Sequence, residues 1–192
     1  HWTPMVGFQG ALRSAEANGL PPRRRAVLGF NEPNFKAQSN IPPWKAAKEW
    51  PELERLARQQ NIRQIVSPAV NFNGHHDPIK WLDDFFGACQ DMHGGCKVDA
   101  IAFHSYTCTG KGLQSHVNLY KRYHKPLWLT EFACGEKWRK SMNGQMDFMR
   151  EAIPMLEADP QVEKYAWFSY WMPYVGEAGL LHKDGRLTPL GE

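Results

Sequence analysis

The sequence predicts an α/β fold of repeated βα units around a parallel sheet. Short apolar runs alternate with amphipathic helical stretches from end to end. Loop signals such as Asn73-Gly74, Gly94-Gly95 and Asp184-Gly185 mark single connections, with no internal repeat, low-complexity segment or flexible linker between them. A chain of 192 residues, 42% hydrophobic and 22% charged, is also long enough to bury a core as one domain spanning 1–192.

The strand candidates are residues 2–8, 26–31, 63–67, 98–106, 127–132 and 165–170. Each is a short run of apolar, β-branched or aromatic residues bounded by turn formers. The helix candidates between them are residues 10–18, 43–60, 78–89, 113–123 and 141–157. Asp77 before Pro78 reads as an N-cap followed by proline at the first helical position, where its missing N–H costs nothing. Pro51 and Pro154 fall inside helical patterns and are expected to break or kink them.

The formal net charge is +3, and Arg23, Arg24 and Arg25 form the only tight basic run, which disfavours a nucleic-acid surface. No run reaches the apolar length of a membrane span. The chain opens on His1 without a starting methionine or signal-peptide pattern, as a cut or processed N-terminus would. The four cysteines, Cys89, Cys96, Cys108 and Cys134, allow three pairings. Cys89 with Cys96 would close a short loop and leave Cys108 with Cys134, implying secretion to the extracellular space or cell wall; free cysteines packed as small buried hydrophobes are the alternative. Aromatic residues make up 12% of the chain, with eight tryptophans, and several lie near strand ends. Sugar rings stack on such faces, although core packing will claim about half of them.

In a parallel βα barrel the active site is assembled where the strands end at their C-terminal side. Residues 26–30 end in Asn31-Glu32-Pro33-Asn34, 127–130 end in Glu131, and 98–103 end in His104-Ser105-Tyr106. Glycoside hydrolysis needs one carboxyl to protonate the departing oxygen and another facing the anomeric carbon. Glu32 and Glu131 supply that pair, and a closed barrel would bring both to one rim. Asn31 can bond a sugar hydroxyl, as can Asn34, while Pro33 fixes the turn. His104 and Tyr106 share one side of their strand by alternation, so the tyrosine could hold the nucleophile and the histidine could bond substrate or the acid. Trp167 and Trp171 share parity on the last strand, with Trp171 as the preferred sugar platform. His75, His76 and Asp77 lie together, but adjacent loop histidines rarely aim at one ion and no zinc-helix spacing occurs, so neither a metal nor another cofactor is expected. A serine hydrolase is disfavoured because no Gly-x-Ser-x-Gly elbow occurs.

The Asn-Glu-Pro context resembles the clan of retaining glycosidases built on eight-stranded barrels, whose acid/base ends the fourth strand and whose nucleophile ends the seventh. A closer set follows in order: Leu28-Gly29-Phe30-Asn31-Glu32-Pro33-Asn34, Gln38-Ser39-Asn40, Val66-Ser67-Pro68-Ala69, Val98-Asp99-Ala100-Ile101-Ala102-Phe103-His104-Ser105-Tyr106, Leu129-Thr130-Glu131-Phe132 and the tail Leu187-Thr188-Pro189-Leu190-Gly191. As a set these resemble the Asl1-like glycosyl hydrolases, glycoside hydrolase family 128, over nearly the whole chain. The resemblance implies a β-1,3-glucanase with net retention, a polysaccharide partner, Glu32 as acid/base and Glu131 as nucleophile.

Counting from those two residues makes 2–8 the third strand, so the resemblance implies a (β/α)8 TIM barrel whose first two strands are absent from this chain. Missing strands would leave unpaired edges and remove sugar-binding aromatics. Two alternatives accompany the leading expectation: a carbohydrate-binding or inactive fragment, and a retaining glycosidase acting on another β-glycan.

Overall fold

The computed structural model describes residues 3–7, 9–18, 24–72, 74–135, 141–170 and 177–192. It divides into two units, His1–Phe103 and His104–Glu192.

In the first unit the elements are α1 (Gln9–Asn18), β1 (Ala26–Leu28), α2 (Pro43–Gln59), β2 (Gln64–Val66), β3 (Val70–Asn71), α3 (Pro78–His93) and the opening of β4 (Ile101–Ser105). β1 and β2 run parallel, with Ala26 opposite Gln64 and Leu28 opposite Val66. On the far side of β1, Met5 forms a parallel bridge to Leu28, and the amides of Val6 and Asn31 donate to the carbonyls of Leu28 and Gly7. The strand expected at 2–8 is thus an extended, bridged segment in its described residues. On the far side of β2, Val66 bridges Ala100 in parallel, and Asp99 N donates to Ile65 O at 2.7 Å.

α2 packs on these strands through Trp50, which contacts Phe30 and Phe85 edge-on at 6.2 and 5.1 Å. Gly29 makes that approach possible. A Cβ there would lie 2.9 Å from the Trp50 ring and 3.0 Å from the Pro68 nitrogen. Pro51 lies inside α2 and does not break it. The carbonyl that a residue-51 N–H would have served is that of Ala47, and His93 Nε2 donates to it at 3.1 Å. Asp77 caps α3 as expected, accepting from Lys80 N at 2.8 Å. The helix runs beyond Cys89 to His93 and stops at Gly94, whose left-handed φ of 70° closes the C-cap. The Cys89–Cys96 disulfide spans this end.

The second unit holds the end of β4, α4 (Gly110–Tyr120), a 3₁₀ turn (Lys121–Tyr123), β5 (Leu127–Phe132), α5 (Met142–Ala158) and β6 (Val162–Trp167). β5 and β6 are parallel, with Leu127 opposite Val162 and Phe132 opposite Trp167. β6 starts and ends three residues before the expected 165–170. Thr109 and Ser141 cap α4 and α5 by accepting from Gly112 N and Gly144 N. α5 also continues unbroken through Pro154, against expectation. A second disulfide joins Cys108 to Cys134.

Asp159 closes α5 in a buried position, with Lys121 Nζ 2.6 Å from its carboxylate and Gln161 N donating at 3.1 Å. Burial pushes this carboxyl up, but the hydrogen bonds and charge of Lys121 and the Gln161 amide outweigh it and hold it below the usual carboxylate range. Its stabilisation is therefore present above the unfolded-state value near 4 and is lost as pH falls through the lower folded value. Asp159→Asn should cost about 1 to 2 kcal/mol at neutral pH, toward the low side because the Lys121 ammonium is partly exposed. Urea unfolding from pH 7 down to pH 3 should show the deficit shrinking in the acid range; a deficit independent of pH would contradict the assignment.

Candidate active site

The chemistry-bearing residues of the first unit sit just past β1. Ala69 N donates to Phe30 O at 2.9 Å and Glu32 N donates to Ala69 O at 2.8 Å, so the backbone around Glu32 is clamped to the strand segment after Pro68. Glu32 has φ +41°, in the left-handed region that non-glycine residues seldom enter. A turn closes behind it, with Phe35 N donating to Glu32 O at 3.0 Å. The Glu32 side chain is only 6% exposed, and its Oε1 accepts from Asn71 Nδ2 at 2.7 Å.

Asn34, expected as a sugar ligand, has another use. Its Nδ2 donates to the carbonyls of Asn71 and His76 at 2.7 and 3.0 Å, and its Oδ1 accepts from Asn71 N at 3.1 Å. Both amide hydrogens are spent on backbone and the residue is buried, so Asn34 is a clip rather than a free ligand. Asn31 is the reverse case. Its side-chain Oδ1 is buried without a hydrogen-bond partner among the described residues, which is costly unless a ligand hydroxyl supplies the donor. Ser39 Oγ lies 2.6 Å from the Gly7 carbonyl and also against that of Asn31, tying the loop to the strand ends.

In the second unit β5 presents Glu131 next to its last residue. Tyr106 OH donates to Glu131 Oε2 at 2.6 Å, and His104 Nδ1 lies 3.3 Å from the same oxygen. The expected alternation therefore does bring His104 and Tyr106 to one side, around a single carboxylate oxygen. His104 is fully buried, while the Glu131 side chain keeps 20% of its surface open. Ser105, pointing the other way on β4, meets His116 Nδ1 of α4 at 2.8 Å. Burial lowers the proton affinity of His116, which favours the neutral imidazole in that pair. Beyond β5, the fully buried Gln145 holds Cys134 by both backbone groups, its Oε1 accepting from Cys134 N at 3.0 Å and its Nε2 donating to Cys134 O at 2.8 Å. The Tyr106 carbonyl accepts from Gly135 N at 2.9 Å, so the segments carrying Tyr106 and Glu131 are fixed on both sides.

Trp167 is partly buried among its neighbours. Its ring packs on Phe132 at 5.1 Å and on Phe148 of α5 at 6.0 Å, and its Nε1 donates to Ala178 O at 2.8 Å. Trp171 lies outside the described residues. Asp77 serves as the helix cap, and His76 lends its carbonyl to Asn34. Asn71 was not singled out from the sequence. Its one signal was a polar residue at the end of the apolar run Ala69-Val70, after Pro68 had interrupted the preceding strand.

A family model described as the glycosyl hydrolase catalytic core matches residues 2–192. The chain belongs to that family. The alkali-sensitive linkage protein 1 of Schizosaccharomyces pombe is 32% identical over 201 residues, which cover 96% of this chain. The match takes in 36% of that protein, so the chain spans about a third of the length of this curated relative. A family 128 (subgroup II) endo-β-1,3-glucanase from Sorangium cellulosum is 43% identical and superposes with a TM-score of 0.87, covering 98% of this chain and 77% of the other. A subgroup I endo-β-1,3-glucanase from Amycolatopsis mediterranei, solved with laminaritriose, is 29% identical at a TM-score of 0.76, covering 98% and 79%. These relatives bear out the Asl1-like, family 128 resemblance and the barrel-type α/β fold, and the strand count among the described residues fits an incomplete barrel. The family is one of glycosyl hydrolases. Among the described residues no helix is long and apolar enough to cross a membrane.

Proposed function

We propose that this chain is an endo-acting β-1,3-glucanase that works with net retention, with Glu131 as nucleophile and Glu32 as acid/base. The observation that carries the reading is the contrast between the two glutamates. Glu131 Oε2 accepts the Tyr106 hydroxyl hydrogen beside the His104 ring, an arrangement that holds a carboxylate in one orientation with part of its surface open. Glu32 is more deeply buried and is held by the neutral amide of Asn71. Two carboxyls in unlike surroundings are what an acid and a nucleophile require. The names of the Sorangium and Amycolatopsis relatives support β-1,3-glucan as the substrate class.

In the first step a Glu131 oxygen bonds to the anomeric carbon, the bond from that carbon to the departing oxygen breaks, and the Glu32 proton passes to the departing oxygen. In the second step Glu32 takes a proton from water, the water oxygen bonds to the anomeric carbon, and the bond to Glu131 breaks. Asn31, with its unpartnered Oδ1, is the group we assign to a sugar hydroxyl near the reacting carbon. His104 supports the nucleophile and the adjoining sugar, and Trp171 remains the proposed stacking platform. The two disulfides favour an oxidising location, and we assign the protein to the cell wall or extracellular space.

Incubation with laminarin, followed by proton NMR during the first minutes, tests the reading. New reducing ends should appear first as the β-anomer, with oligosaccharides rather than glucose as early products. First-formed α-anomer would reject retention, and binding without products would favour a carbohydrate-binding role.

A further inference from the structure

The described tryptophans divide sharply by what their indoles do. Trp50 Nε1 donates to Lys97 O at 3.0 Å, Trp81 Nε1 to Ile41 O at 3.1 Å, Trp128 Nε1 to Glu163 Oε2 at 2.8 Å and Trp167 Nε1 to Ala178 O at 2.8 Å. Each of their rings also packs on another ring or under a cation. Trp44 is the exception. It is 54% exposed, and among the described residues nothing bonds its N–H and no ring packs on it. The base beneath it is nevertheless rigid. Trp44 follows Pro42 and Pro43 in the first turn of α2, and the Pro42 carbonyl accepts from Lys45 N and Ala46 N at 3.0 Å each. The buried Ile41 just before is held at both ends, its N–H by Pro33 O at 3.0 Å and its carbonyl by Trp81. Because α2 joins the parallel strands β1 and β2 it must run back against them, so its first turn lies at the end of β1 where Glu32 stands. The tie from Ile41 to Pro33 links that turn to the residue beside Glu32.

We propose that Trp44 is a remote binding platform for a glucose unit of a long β-1,3-glucan chain, on the rim that carries Glu32 and outside the reacting position. An indole with an open face and an unspent N–H suits a sugar, whose C–H-rich side stacks on the ring while a hydroxyl accepts from the nitrogen. The rigid base means that little ordering is needed on binding. The exposed residue one turn further along α2 is Lys48, so Trp44 does not continue into the apolar stripe that a protein partner would cover. The choice of ligand rests on the glucanase reading. The platform predicts an effect that grows with chain length, since only a long chain reaches it.

The test compares wild type with Trp44→Ala and Trp44→Phe on laminarin and on the shortest laminarioligosaccharide that wild type cleaves. Trp44→Ala should raise KM for laminarin about 5- to 10-fold and leave kcat within about twofold, the pattern of lost uniform binding. On the short substrate it should match wild type within about twofold. Trp44→Phe keeps a stacking face, so it should recover most of the laminarin affinity; it also serves as the second variant should the first fold poorly. Iodide quenching of tryptophan fluorescence supplies a readout apart from turnover. Laminarin should shield part of the wild-type emission from iodide, and that shielded part should shrink in Trp44→Ala. Equal losses on short and long substrates, no loss on laminarin, or unchanged shielding would overturn the platform. Altered self-association in sedimentation, without altered glucan affinity, would overturn it in favour of a contact between copies. The two readings fail separately. If wild type neither binds nor cuts laminarin, the glucanase reading falls and takes this ligand with it; if wild type cuts laminarin while Trp44→Ala equals it at every chain length, only the platform falls.

Discussion

Glu131→Ala is expected to remove laminarin hydrolysis, with kcat falling on the order of 10⁴-fold or more, because the proposed covalent step loses the carboxylate that would bond to the anomeric carbon. The fold should survive. The side chain lies at the end of β5 with a fifth of its surface open, and its bonds run to Tyr106 and His104 rather than into the apolar core. Truncation leaves the Tyr106 hydroxyl and the buried His104 ring short of one acceptor, so a stability loss of about 1 to 3 kcal/mol should accompany it. Reducing-end assays and thermal unfolding on the same preparation distinguish lost chemistry from lost structure. Azide added in place of the missing carboxylate should restore a slow reaction and give the glycosyl azide of inverted configuration, since the small anion attacks from the side that Glu131 vacated. Full activity in the variant would remove Glu131 from the mechanism.

Much of this arrangement was legible in the residues. Alternation placed His104 and Tyr106 on one side of their strand, and both meet Glu131 Oε2. The span of β5 followed from the apolar run 127–132, and the α3 cap from Asp77-Pro78. What stayed hidden depended on distant partners. Pro51 reads as a helix breaker from local chemistry, yet His93, 42 positions later, serves the carbonyl it leaves open. Asn34 reads as a sugar ligand because it follows Glu32-Pro33, but its partners are backbone groups 37 and 42 positions away. Trp167 reads as a sugar-binding candidate because it shares parity with Trp171, while its ring contacts with Phe132 and Phe148 depend on packing that local pattern does not show. β3 has two residues behind a proline, too few for any periodic signal.

Glu32→Ala should show a different defect from Glu131→Ala, and the difference carries the assignment of roles. Without the acid, glycosylation must expel an unprotonated sugar oxygen, so kcat/KM on laminarin should fall by about 10³-fold, within the usual range for general acid catalysis. An aryl substrate with 2,4-dinitrophenol needs no such proton, and its glycosylation should remain near the wild-type rate. The glycosyl-enzyme would then accumulate because no base activates water, giving a rapid burst of dinitrophenol followed by slow turnover. Azide should speed that slow phase, since it needs no base, and the product should be the glycosyl azide of retained configuration. The two variants are thus expected to yield opposite anomers from the same nucleophile. That stereochemical pair is the sharpest check available on which glutamate does which step. Retained azide product from Glu131→Ala and inverted product from Glu32→Ala would exchange the roles.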